Sequence, residues 1–254
     1  MEMTLVDFQK YRNPNVRPAS DEVQQAIADS PLDGRLFLKI EDARQMAAAG
    51  YAEVENGYAF HPDGSATVSV LTDMPDVTPD MWHWWFGWHG DSDEKYKLWH
   101  PPAHIGARWG DGEIGRVGYI GRDSHIQEYL GPSLEKGVIQ FKSPTIVGLP
   151  EFDPETSDAV YIVARIGLPI PIDFGWLIHE VRRTENGSEM RSRFWMGGNH
   201  IAARSAWTGW LVPIARRFRK IPESLVSDLL EHCAEEMSHL ATFLPDLYAD
   251  LNQD

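Results

Sequence analysis

The chain has one cysteine, Cys233, so no internal disulfide is available, and this scarcity fits a reducing compartment. Basic residues are few: 23 Lys+Arg against 38 Asp+Glu give a formal net charge of −15. That balance opposes nucleic acid and anionic membrane surfaces as partners, because both are polyanions. No apolar run reaches membrane-spanning length, and the opening stretch MEMTLVDFQKYRN lacks the apolar centre of a signal peptide. Together these absences imply a soluble, cytoplasmic protein. No glycine-rich phosphate loop opens a helix, which argues against a nucleotide site. HExxH, cysteine-cluster and EF-hand patterns are missing too. There is no internal repeat and no low-complexity segment.

What is present is an ordinary apolar content, 43% of 254 residues, enough for a real core. Ten Trp and ten His are unusual for this length, and the clustered Trp suggest an aromatic-lined cavity. The most informative stretch is the last long helix, expected from Pro222 to about Tyr248, with Pro222 at its first position. Leu225, Leu229, His232, Glu236 and Leu240 recur at steps of three and four and form one stripe. His232 and Glu236 therefore belong to the face that should be buried. A buried carboxylate is costly unless it is paired or bound to a cation. A His and a Glu one turn apart suit a metal ion; the plainer alternative is an ordinary polar pair at the edge of an amphipathic helix.

Upstream, the first residues read as an irregular arm, with Ser20 capping a helix over 21–28 and a further helix over 40–49 ended by Gly50. Residues 66–72 alternate like a strand. Thr78-Pro79-Asp80 opens an aromatic helix through His89, expected to be covered on both sides and to help wall a cavity. Residues 96–104 read as a loop. From Val138 onward a meander of strands is expected, including 175–184 and 189–196 around Asn186-Gly187, a strong hairpin signal. A turn centred on that pair matches residues whose numbers sum to 373. His179 then lies opposite Phe194 on the apolar face, and Glu180 opposite Arg193 on a charged outer face. His179 is either a satisfied core histidine or a pocket-lining acid or base. The basic stretch 204–219 reads as a weak helix with a solvated face. The order of elements implies an α+β fold, an antiparallel sheet wrapped around the long C-terminal helix, with a mixed α/β N-terminal region. Residues 1–60 form the arm and short helices, and 61–254 the domain with the site. A metal needs three or four ligands; beside His232 and Glu236 the candidates are His100, His104, His125 and Glu128, and spacing does not choose among them.

The runs MWHWWFGWHG at 81–90, YKLWHPPAH at 96–104, HIQEYLG at 125–131 and HCAEE at 232–236 resemble, in that order, the 2,4-diacetylphloroglucinol hydrolase and phloretin hydrolase family. The resemblance implies a Bet v 1-like helix-grip and cleavage of the carbon–carbon bond between an acyl group and a phenolic ring. It implies a zinc ion held by His104, Glu128, His232 and Glu236, although such a donor set also suits other divalent metals. It assigns Tyr96 and His179 to the substrate ring. Two positions depart from the family: Phe194 stands where a second tyrosine is expected, and Ala107 where an asparagine is. The expected substrate is a small aromatic or polyketide-like molecule, and self-association is compatible with the sequence. Two rival readings keep the cavity. One is a metal-dependent lyase, isomerase or cyclase, motivated by Phe194 and Ala107; the other is a non-enzymatic carrier of hydrophobic ligands.

Overall fold

The computed structural model describes residues 7–116, 118–218 and 221–252. The first six residues of the expected arm, and Arg219 at the end of the basic stretch, lie outside the described residues.

Helix α1 (Asp21–Asp29) starts where Ser20 Oγ accepts a hydrogen bond from the Val23 amide, and Asp21 and Glu22 sit in its positive first turn. The stretch expected to be an α-helix over 40–49 is instead a 3-10 helix, Ile40–Ala47. Its buried residues, Ala43 and Met46, are three apart, so one row of side chains meets the protein at the 3-10 period. Helix α2 (Pro79–Trp88) is capped by Thr78 with Pro79 at its start, as the sequence implies. Residues 93–99 are not a loop. Ser92 Oγ caps the Lys95 amide and Asp93 and Glu94 fill the first turn of helix α3 (Asp93–Trp99). Pro101-Pro102 only end that helix.

The strands are β1 (Gly57–Phe60), β2 (Ser65–Pro75), β3 (His104–Trp109), β4 (Asp123–Leu130), β5 (Ser133–Lys142), β6 (Ala159–Gly167), β7 (Ile172–Thr184), β8 (Gly187–Gly197) and the short β9 (Ala202–Ala203). They form one antiparallel sheet in the order β1-β2-β8-β7-β6-β5-β4-β3, with β9 on β7. The β7–β8 register differs from expectation. Thr184 pairs with Gly187, the pair numbers sum to 371, and His179 lies opposite Ser192 while Leu177 lies opposite Phe194. Gly187, at φ 138°, also pairs with Pro75, and a side chain there would collide with the backbone of Met74 and Asp76. The glycine thus serves the close approach of a third strand rather than a turn centred on Asn186-Gly187. The slip is two residues, so every side chain keeps its face.

Helix α4 (Leu211–Phe218) precedes α5 (Glu223–Ala241) and α6 (Leu244–Leu251). The single long helix expected to Tyr248 is therefore two. Pro245 has no amide hydrogen and its ring would strike the carbonyl four residues back, so the chain bends at Thr242-Phe243. Pro222 is the residue before α5, not its first. Val226, Leu230, Cys233, Met237 and Leu240 of α5 are fully buried against one sheet face with Val68, Val70 and Val181. Burying each large side chain contributes about 1.5–3 kcal/mol, so packing rather than propensity holds this helix. It touches β1 and β2 near one end of the strand order and β4 near the other.

The opposite sheet face is not the solvated charged surface expected from the sequence. Ala43 and Met46 of the 3-10 helix pack with Leu149, Val163, Ile178 and Trp195 in a second core, and the Trp195 indole donates to the Leu38 carbonyl at 2.7 Å. Glu180, Arg191 and Arg193 are buried beneath this layer. Among the described residues no helix is long and apolar enough to cross a membrane.

Candidate metal centre

His104 is delivered by the turn that ends α3. The His100 carbonyl accepts from the amides of Ala103 and His104 at 3.0 and 2.8 Å, and β3 begins at once. His104 pairs across the ladder with Glu128 of β4, and a bulge follows between His104 and Gly106. The bulge re-aims the strand. Gly106 is required there, because a side chain would run into the Asp93 carboxylate. From the other side, α5 brings His232 and Glu236, one turn apart and each 8% exposed.

These side chains converge. His104 Nε2 lies 3.4 Å from His232 Nε2, 3.3 Å from Glu236 Oε2 and 3.6 Å from Glu128 Oε2. His232 Nε2 is 3.5 Å from the same Glu236 oxygen. His104 Nδ1 donates to the Tyr96 carbonyl at 3.0 Å, which leaves the Nε2 lone pair aimed at the cluster. Tyr96 stacks on His104, with centroids 3.9 Å apart, and donates its hydroxyl to Glu128. Among the described residues no Lys or Arg forms an ion pair with Glu128 or Glu236. Burial favours a neutral His232, but Glu236 first and then Glu128 and Glu235 outweigh it, raising its pKa to about 9. Burial acts to raise Glu236 as well, yet His232 and His104 hold it well below the usual carboxylate range. Burial and Glu128 push the Tyr96 phenol well above its ordinary value, so it stays protonated. Two imidazole nitrogens and a carboxylate within coordinating reach of one another, with a second carboxylate alongside, are the donor set of a divalent cation. His104, His232 and Glu236 could hold one.

The cluster forms one wall of a cavity in which the centre of a water-sized sphere can move over about 170 Å3. Leu177, Phe174, Met196, Leu225 and Leu229 make much of the rest apolar. His179 lines the same cavity, with Nδ1 2.7 Å from Ser192 Oγ and its pKa lowered to about 4 by burial. Five of the six residues singled out from the sequence line this cavity, Tyr96, Glu128, His179, His232 and Glu236, and His104 joins them through its contacts with Glu236 and His232. Of the other upstream candidates, His100 turns its Nε2 to Glu235 at 3.4 Å and stacks on His232, while His125 is exposed on β4. Phe194 is not opposite His179 but meets its ring edge-on at 5.9 Å. From α2, Phe86 reaches the cavity; Trp82 and Trp85 pack against it and Trp99 as a second layer. Sequence reasoning missed His89 and Ser192. His89 lines the cavity and its Nδ1 donates to the Trp85 carbonyl at 2.8 Å. Its only signal was a place in the aromatic run; that of Ser192 was the hairpin register.

The family model of the DAPG hydrolase PhiG domain matches residues 37–249. A 2,4-diacetylphloroglucinol hydrolase of Pseudomonas protegens is 27% identical over 262 residues, covering 96% of this chain and 84% of that protein. A phloretin hydrolase of Eubacterium ramulus is also 27% identical, over 263 residues, covering 98% of this chain and 92% of that one. Among solved structures, that of Ara h 8.0201 is 10% identical with a TM-score of 0.45, covering 72% of this chain and all but 1% of that one (99%). The match spans the aromatic helix, the His104–Glu128 ladder and α5 alike, and the chain belongs to the DAPG hydrolase family.

Proposed function

We propose that this chain is a metal-dependent hydrolase that cleaves the carbon–carbon bond between an acyl group and a phenolic ring, or the equivalent bond of a β-dicarbonyl compound. The observation that carries the reading is the convergence of His104, His232 and Glu236, with Glu128 beside them, next to an apolar cavity lined by His232, Glu236, Glu128, Tyr96 and His179. Family membership and the names of the two hydrolases support it. The donors suit zinc, with Glu128 as the fourth ligand. Such an ion, when bound, supplies Lewis acidity to polarise an acyl carbonyl and activate water. The sheet and α5 act as a Bet v 1-like helix-grip around the substrate, with residues 61–254 as the catalytic unit and residues 1–60 bracing it.

The chemistry sets what the side chains must do. One water oxygen is added to the acyl carbon and one proton to the ring carbon, so the products are a carboxylic acid and a free phenol. The bond breaks only when the ring is in its keto tautomer, with a proton on the acyl-bearing carbon and the neighbouring hydroxyl-bearing carbon a ketone, so protic groups must face the ring. Tyr96 and His179 are protic groups that line the cavity beside the metal donors, and we assign the ring to them. The apolar residues opposite exclude water and hold the aromatic body.

Acid release from monoacetylphloroglucinol, followed by NMR with metal content measured in parallel, tests the reading. Stoichiometric metal, activity lost on chelation and restored by zinc, and loss in His232→Ala are expected. Acid release unchanged by both treatments refutes it. The edge-on packing of Phe194 against His179 leaves that part of the wall without a hydrogen-bonding group, which favours a second reading, a metal-assisted lyase or isomerase. A product isomeric with the substrate would select it.

A further inference from the structure

His179 is held from behind by a second buried group. Ser192 lies directly across the ladder on β8, with its Oγ 2.7 Å from His179 Nδ1. The two side chains are 3% and 1% exposed, so bulk water does not compete for this bond. A hydroxyl has one hydrogen, and an imidazole nitrogen is the strongest acceptor beside it. Were the imidazole the donor, that buried hydrogen would have to go to a weaker acceptor, so donation runs from hydroxyl to imidazole. A neutral imidazole that accepts at Nδ1 carries its single hydrogen on Nε2. Phe86 and Phe194, with centroids 6.1 and 5.9 Å from the His179 ring, confine it on either side.

We infer that Ser192 is a positioning residue that holds His179 as its Nε2–H tautomer, so that the cavity meets a fixed hydrogen-bond donor. The ligand atom this donor suits is an oxygen on which negative charge grows. In the hydrolase reading, on which this assignment of substrate rests, it is the ring oxygen that gains charge as the bonding pair moves from the acyl carbon into the ring. His179 then stabilises that oxygen without itself titrating.

The tautomer is read directly by two-bond 1H–15N NMR of protein labelled at histidine, with His179 assigned by its loss in His179→Gln. The Nε2–H pattern at pH 7 is expected in the wild type. In Ser192→Ala the pattern becomes mixed, and kcat on an acylphenol falls roughly tenfold to a hundredfold, the range for removing an orienting partner, with KM nearly unchanged. Ser192→Cys, of similar size but with a weaker donor, gives a smaller change in the same direction and covers the case in which Ser192→Ala does not fold. An Nδ1–H pattern in the wild type overturns the inference, and so does an unaltered pattern in a folded Ser192→Ala. The expected tautomer in a wild type that releases no acid leaves the inference standing and refutes the hydrolase reading alone.

Discussion

Two buried charged clusters lie on opposite faces of the sheet, one on β7 and β8 and the other between β3, β4 and α5, and they differ in their charge balance. On the outer face Arg191 bridges Glu180 and Glu55 at 2.8 Å each, and Arg193 also reaches Glu55. Two positive charges meet two negative ones and the sum is zero. On the inner side Glu128 and Glu236 face two imidazoles, so with neutral histidines the sum is −2, and among the described residues no Lys or Arg forms an ion pair with either carboxylate. The first cluster is complete within the chain. The second is complete only with a cation, or with a proton on His232, whose pKa has risen to about 9. Charge balance, rather than burial alone, separates a cluster that braces the fold from one that awaits a ligand.

The largest effect that would break this contrast is at Glu236. Glu236→Gln keeps the shape and removes one unit of negative charge. Metal stoichiometry should fall to near zero and turnover by about a thousandfold or more, as for loss of a group central to catalysis, while the urea midpoint of the metal-free protein falls modestly, because His232 and His104 no longer stabilise a carboxylate there but His232 can shed its proton. A variant that still binds metal at full stoichiometry would remove Glu236 from the ligand set. At Arg191 the pattern should invert. Arg191→Met strands Glu180 and leaves Glu55 to Arg193 alone, and breaking a buried pair costs about 3–5 kcal/mol, read as a large drop in urea midpoint. Metal affinity should stay within about twofold. If metal binding falls in step with stability, the two faces are not independent.

Much of the inner cluster was legible before any coordinates. The i, i+4 step put His232 and Glu236 on one face, the ordered motifs added His104, Glu128 and Tyr96, and the hairpin pattern put His179 on the apolar face. The outer cluster was not. Alternation along β7 and β8 correctly assigned Glu180, Arg191 and Arg193 to the outer face but said nothing of what lies on it, because the covering segment, residues 38–56, is distant in sequence and only its 3-10 helix shows a pattern. The hairpin was misread for a related reason. Gly187 carries the demand of β2 as well as of the turn, and a local rule for Asn-Gly sees only the turn. Where one residue answers to its chain neighbours the sequence suffices; where it answers to a third strand it does not.

A smaller effect concerns the neutral histidines that flank the inner cluster. Burial lowers both His89 and His179 from 6.5 to about 4. Between those values the unfolded chain binds more protons than the folded one, so stability is full above pH 6.5 and falls as the pH drops toward 4. By pH 5 each histidine should remove on the order of 2 kcal/mol. Urea midpoints at pH 5, 6 and 7 measure the slope, and His89→Gln should flatten it. An unchanged slope would mean that His89 takes up its proton as readily in the folded protein as in the unfolded chain.

The smallest effect is a single oxygen, and it sharpens the contrast within one strand. Phe194 faces the cavity, while Trp195, its neighbour, faces the outer core and binds Leu38. Phe194→Tyr places a hydroxyl on a stretch of wall that offers a ligand no hydrogen bond. A substrate hydroxyl lying there gains one bond, worth about 0.5–1.5 kcal/mol net, or roughly 2- to 12-fold in kcat/KM. A substrate with a bare ring edge gains nothing and leaves the new hydroxyl unpaired, so its kcat/KM falls. The measurement is the ratio of kcat/KM for two acylphenols differing by one ring hydroxyl, compared between wild type and variant. A shifted ratio makes Phe194 the residue that selects a less hydroxylated ring. A ratio unmoved by the substitution would put the substrate against the α5 wall of Leu225 and Leu229 instead, and would leave the sheet side of the cavity to His179 alone.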